Sequence, residues 1–85
     1  MPADTPVLNE RALAIFEAKL GPDHPNVSWP LFALAEIAVA QKLPADALPL
    51  AKRCVAIREQ AGSSPKDLEE ARELVTAIEG ELAPP

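Results

Sequence analysis

Residues 2–17 read PADTPVLNERALAIFE, and residues 44–59 read PADALPLAKRCVAIRE. The two stretches lie 42 residues apart with no gap, and eight of their sixteen positions are identical. Self-similarity at a fixed period of this size marks a repeat architecture. In such a fold each unit buries its apolar face on the next, and the stack presents a surface to a partner.

Four helical segments follow when the reading moves outward from this pair. They occupy 2–20, 26–41, 44–61 and 64–82, with a tail at 83–85, all in one domain spanning 1–85. The first helix runs from about Thr5, as N-cap, to Lys19. Its stripe is Leu8, Ala12, Ile15, Phe16 and the stem of Lys19, at helical spacing. Gly21 ends it with a left-handed residue, and Pro22-Asp23-His24-Pro25 is a stiff turn. The second helix covers about Val27 to Gln41. Ser28 is read as its cap, with a regular start there or a kink at Pro30. Leu31, Leu34, Ala35 and Ala38 form its core stripe.

The third helix is expected from Asp46, as cap, to Ala61, with Pro49 in the first turn. Leu50, Cys54, Ile57 and Ala61 share a face, and Gly62 repeats the stop seen at Gly21. The fourth opens on Ser64 as N-cap, Pro65 and Asp67, an approximate capping box. It buries Leu68, Ala71, Leu74, Val75, Ile78 and Leu82. Its solvated face is Glu69, Glu70, Arg72, Glu73, Thr76 and Glu79, with Arg72 able to pair with Glu69. The fold expected is all-α, four antiparallel helices in the order B–A–B–A, where A and B are the two helices of a repeated hairpin.

Composition agrees. Leu and Ala dominate, there is no Tyr, and the chain has one Trp and two Phe. Thirteen acids against eight bases give a net charge of −5, which disfavours phosphate backbones and anionic lipid. Neither nucleic acid nor membrane is therefore expected as a partner. Cys54 is the only cysteine, so no internal disulfide can form. No signal peptide is visible and no apolar run approaches the length of a bilayer span. A cytoplasmic location is the expectation.

At Leu20–Val27 the sequence LGPDHPNV precedes a helix bearing Leu31, Leu34 and Ala35, and ADALPLAKRCVAIRE follows at 45–59. This combination resembles tetratricopeptide repeats of the 42-residue, kinesin-light-chain type. The resemblance covers most of 2–62 and continues weakly to about Leu82. It implies a short right-handed α-solenoid whose first-type helices line a concave groove. The family's paired groove Asn residues are replaced by Phe32 and Ala33 here, and by Arg72 and Glu73 in the fourth helix. Its inter-helix Gly is Lys42, and the aromatic that follows is Pro44. Those departures argue against a backbone clamp made by Asn side chains.

The chemistry is sparse. His24 and Asp23 have no second His and no nucleophile to work with, so they read as turn-capping residues. Cys54 reads as a small buried residue. Lys52, Arg53 and Arg58 read as a solvated face diluted by neighbouring acids. No nucleophile–base pair, metal cluster or phosphate loop is visible, so neither catalysis, a metal nor a cofactor is expected. Trp29, Phe32, Glu36 and Val39 share a helical face distinct from the core stripe. With Arg72, Glu73 and Thr76 of the fourth helix they are the expected partner groove.

The function expected is a non-catalytic protein–protein interaction module that takes a protein or peptide partner. The alternative is a C-terminal structural cap of a longer array in a multidomain signalling protein, with no binding role of its own. The first helix is of B type with no A helix before it. Leu8, Ala12, Ile15 and Phe16 are therefore an expected face for weak homo-oligomerisation, in its simplest closed form a two-fold pair. Otherwise the chain is a fragment.

Overall fold

The computed structural model describes the backbone of residues 4–83 and the side chains of residues 9–83. Four helices occupy almost all of it, and no strand occurs among the described residues. They are α1 (Asp4–Leu20), α2 (Ser28–Ala40), α3 (Pro44–Ala61) and α4 (Pro65–Leu82), with a 3₁₀ turn at Pro25–Val27 before α2. Short connections fold each helix back against its neighbour. The all-α architecture expected from the repeat is the one observed.

The connections show why the helices end where they do. Gly21 and Gly62 take φ of +94° and +67°, the left-handed stops read from the sequence. After Gly62, the Ser63 N–H donates back to the Arg58 carbonyl at 3.1 Å. Lys42 does the same work without being glycine. Its φ is +63°, its N–H donates to the Val39 carbonyl at 2.9 Å, and the Leu43 N–H donates to that of Ala38 at 2.8 Å. The α2–α3 hairpin thus closes on a strained side-chain-bearing residue.

Three assigned N-caps differ from the sequence reading. Thr5 lies inside α1, whose first described residue is Asp4. Ser28 lies inside α2 rather than capping it, and its hydroxyl donates to the Pro25 carbonyl at 2.7 Å. Pro30 is then the third helical residue, where the absent N–H has no intrahelical acceptor to lose, and α2 runs on without interruption. α3 starts at Pro44, two residues before Asp46, because proline is pre-set for the first helical position. Pro49 consequently falls beyond the first turn. At α4 the reading holds: the Ser64 hydroxyl accepts from the Asp67 N–H at 3.3 Å.

Two apolar clusters make the core. One joins Val27 and Leu31 to Cys54 and Ile57 of α3 and Ala71 of α4, with Leu13 and Phe16 of α1 packed against it. The other joins Ala35 and Ala38 to Ala47 and Ala51 of α3 and Ile78 of α4, flanked by Val39, Leu74 and Val75. The four-residue stripe of α2 is buried as expected. Ile15, on the α1 face expected to lack a partner, is 47% exposed, because α1 turns Leu13 and Phe16 inward instead. Two stripe positions of later helices, Ala61 and Leu82, end those helices and are exposed as well. A last-turn side chain has no further turn of neighbours to cover it.

Candidate functional site

Arg58 is the residue around which the site is built. It lies on α3 in line with Ala47, Ala51 and Cys54, at steps of four, three and four. Those small residues bring α3 close to α2, and the stripe carries Arg58 into the interior, 2% exposed. Its Nε donates to the Ser28 hydroxyl at 3.3 Å and its Nη1 to the Asp67 carbonyl at 2.7 Å. Its guanidinium carbon stands 4.6 Å from the Trp29 ring centroid and 5.2 Å from that of Phe32. No carboxylate pairs with it among the described residues. Hydrogen bonds and aromatic faces stabilise the buried charge instead. The sequence reading that put Arg58 on a solvated face is corrected here. The signal that could have found it is its register on the buried stripe of α3.

Trp29 is the outward side of this arrangement. It is 53% exposed, while Phe32 beside it is half-buried against the first cluster. Glu36 is exposed and Val39 half-buried on the same face of α2. Arg58 thereby links α2, α3 and the start of α4 beneath a presented indole.

The remaining expected groove residues lie in a different setting. Arg72 of α4 donates to Glu59 of α3 at 2.9 Å, rather than pairing with Glu69. Thr76 donates to the Arg72 carbonyl at 3.0 Å. Both line a hollow of about 360 Å³ between α3 and α4, together with Val55, Ala56 and Val75. Glu73 is exposed. The structure therefore joins Trp29 and Phe32 to Arg58, and Arg72 and Thr76 to the outer flank of α3. Of the α1 face, Ala12 and Phe16 are half-buried and Ile15 is exposed, while the Leu8 side chain lies outside the described residues.

The other singled-out residues have structural roles. His24 Nδ1 accepts from the Asn26 N–H at 3.1 Å and caps the 3₁₀ turn. Cys54 is fully buried, and its thiol donates to the Ser28 carbonyl at 3.4 Å. Burial pushes that thiol up from its ordinary value, against a smaller opposing pull from Arg58. Arg53 bridges to Glu17 of α1 at 2.5 Å, across 36 residues of chain.

The family model for the tetratricopeptide repeat matches residues 8–60, more than half of the chain. The chain belongs to the tetratricopeptide repeat family. The matched segment holds α2, most of α1 and nearly all of α3, with the second copy of the internal repeat and residues 8–17 of the first. Tetratricopeptide repeats are typically non-catalytic modules that bind protein or peptide partners. No curated protein and no solved structure matches the chain significantly. Among the described residues of this repeat protein, no helix is long and apolar enough to cross a membrane.

Proposed function

We propose that this tetratricopeptide repeat protein is an interaction module of the 42-residue type that engages a protein or peptide through the α2 face of Trp29, Phe32, Glu36 and Val39. The observation that supports it is the half-exposed Trp29 ring held over a buried guanidinium. A large aromatic that is both presented and immobilised loses little entropy on binding, which suits it as an anchor. Phe32 supplies adjoining apolar surface and Glu36 a rim charge. Where the family resemblance would place an Asn pair there are Phe32 and Ala33, so the recognition is apolar-anchored rather than a backbone clamp. Arg72, Glu73 and Thr76 extend the surface only for a partner that reaches over α4.

A peptide-array screen with the wild-type chain and Trp29→Ala tests this. The reading expects peptides that bind wild type and fail on the variant at unchanged helicity. Their binding should also shift Trp29 emission to the blue. Equal binding by both proteins would place the partner surface elsewhere.

A further inference from the structure

The hollow between α3 and α4 has a counterpart inside the chain that α3 fills in part. α3 itself lies against α1 and α2, where it meets Leu13, Glu17, Leu31 and Ala35. Its ionic anchor there is Arg53 to Glu17. Moving along the internal repeat by 42 residues converts Leu13 to Val55, Ala14 to Ala56 and Glu17 to Glu59. The buried stripe of α2 maps onto that of α4 at a shift of 40, which converts Ala35 to Val75 and Phe32 to Arg72. Val55, Ala56, Glu59, Arg72 and Val75 all line the hollow. It is the corresponding seat one repeat later, and it stands open among the described residues.

A helix that fits this seat must carry the face that α3 uses: Arg53, Cys54 and Ile57. α1 carries that face at the shifted positions as Arg11, Ala12 and Ile15. Arg11 and Ile15 are exposed and Ala12 is half-buried, while the other flank of α1, with Leu13, Phe16 and Glu17, serves its own chain. We infer that the α3–α4 hollow receives α1 of a second copy of this chain, with Arg11 of the incoming helix bridging to Glu59 as Arg53 bridges to Glu17. The two surfaces differ, so the contact is heterologous and open-ended, not a two-fold pair. Glu59 is free to accept a second cation, because its pair with Arg72 is about half exposed and exposed pairs hold weakly. This inference uses a surface separate from Trp29 and stands apart from the peptide-binding reading.

Sedimentation of the full chain from low micromolar to millimolar concentration tests it. The average mass should climb past two chains without a plateau. Glu59→Arg and Arg11→Glu should each weaken association roughly tenfold, since an exposed attraction becomes a repulsion. An equimolar mixture of the two variants should recover it, because each seat then meets a helix of opposite charge. Circular dichroism checks that both variants keep their helicity. If either does not, Ala56→Arg blocks the same seat from an exposed position and should likewise leave a monomer. A wild type that stays at one chain throughout, an assembly that stops at two, or charge swaps that change nothing would each overturn the inference. Failure of the mixture to recover would overturn it as well.

Discussion

α1 and α3 are the same helix written twice, and they have opposite surroundings. Ile57 is 2% exposed and Ile15, its equivalent, 47%. Arg53 is bridged to Glu17, while Arg11 is exposed. Cys54 is sealed, and Ala12 is only half covered. Shared sequence gives both segments the same helical propensity and the same stripe. What differs is the number of neighbours: α3 is flanked by α1, α2 and α4, whereas α1 has α2 and one side of α3. A repeat helix thus owes its shape to its own residues and its burial to the next ones along.

The largest test of that contrast is truncation of the paired isoleucines. Ile57→Ala should cost about 2–5 kcal/mol, as a fully buried large-to-small change does. Ile15→Ala should stay within about 0.5 kcal/mol in the dilute chain, as surface changes do. Chemical denaturation of both variants reads the difference, and equal losses would erase the contrast. Arg58→Ala comes next, at about 2–3 kcal/mol, because it removes the charged donor from the Ser28 hydroxyl and the Asp67 carbonyl and takes away the support of Trp29. Its Trp29 emission should become more mobile and more easily quenched. A quenching rate equal to wild type would show that the guanidinium does not hold the ring.

These two experiments also divide what the sequence made legible from what it hid. The period of 42, the Gly stops and the stripe Leu31–Leu34–Ala35–Ala38 are local patterns, and the four helices and the α2 core followed from them. Ala61 and Leu82 were placed on the apolar stripes because periodicity names a face without saying whether anything covers it. Arg58 was hidden for the converse reason. Its charge argued for solvent, and only its register behind Ala47, Ala51 and Cys54 carried it inward. Arg72 was matched to Glu69 on its own helix, while the partner it uses, Glu59, is brought near by tertiary packing. The α2 half of the candidate site was therefore readable as a face, but the residue that stiffens it was not.

Smaller effects sharpen the picture at the joints. Lys42→Gly should raise stability by about 1 kcal/mol, since glycine takes φ of +63° without the steric cost a side chain carries. A loss of stability would mean that the Lys42 side chain contributes more than its backbone strain. A double-mutant cycle on Arg53 and Glu17 should give about 0.5 kcal/mol that fades with added salt, because both side chains are about a third exposed. Cys54 contributes a pH dependence. Its folded thiol titrates above the ordinary value of 9.0, so the unfolded chain loses the proton first, and stability should fall as pH rises past 9.0. Replacing Cys54 with Ala should flatten that decline.

Amide hydrogen exchange, read helix by helix in dilute solution, tests the central contrast most directly. α3 amides should exchange only through global unfolding, while those of α1 exchange through local opening at a lower free energy. Raising the protein concentration should then slow α1 and leave α3 unchanged. Equal protection of α1 and α3 in the dilute chain would show that neighbours do not separate the two copies, and would contradict the account.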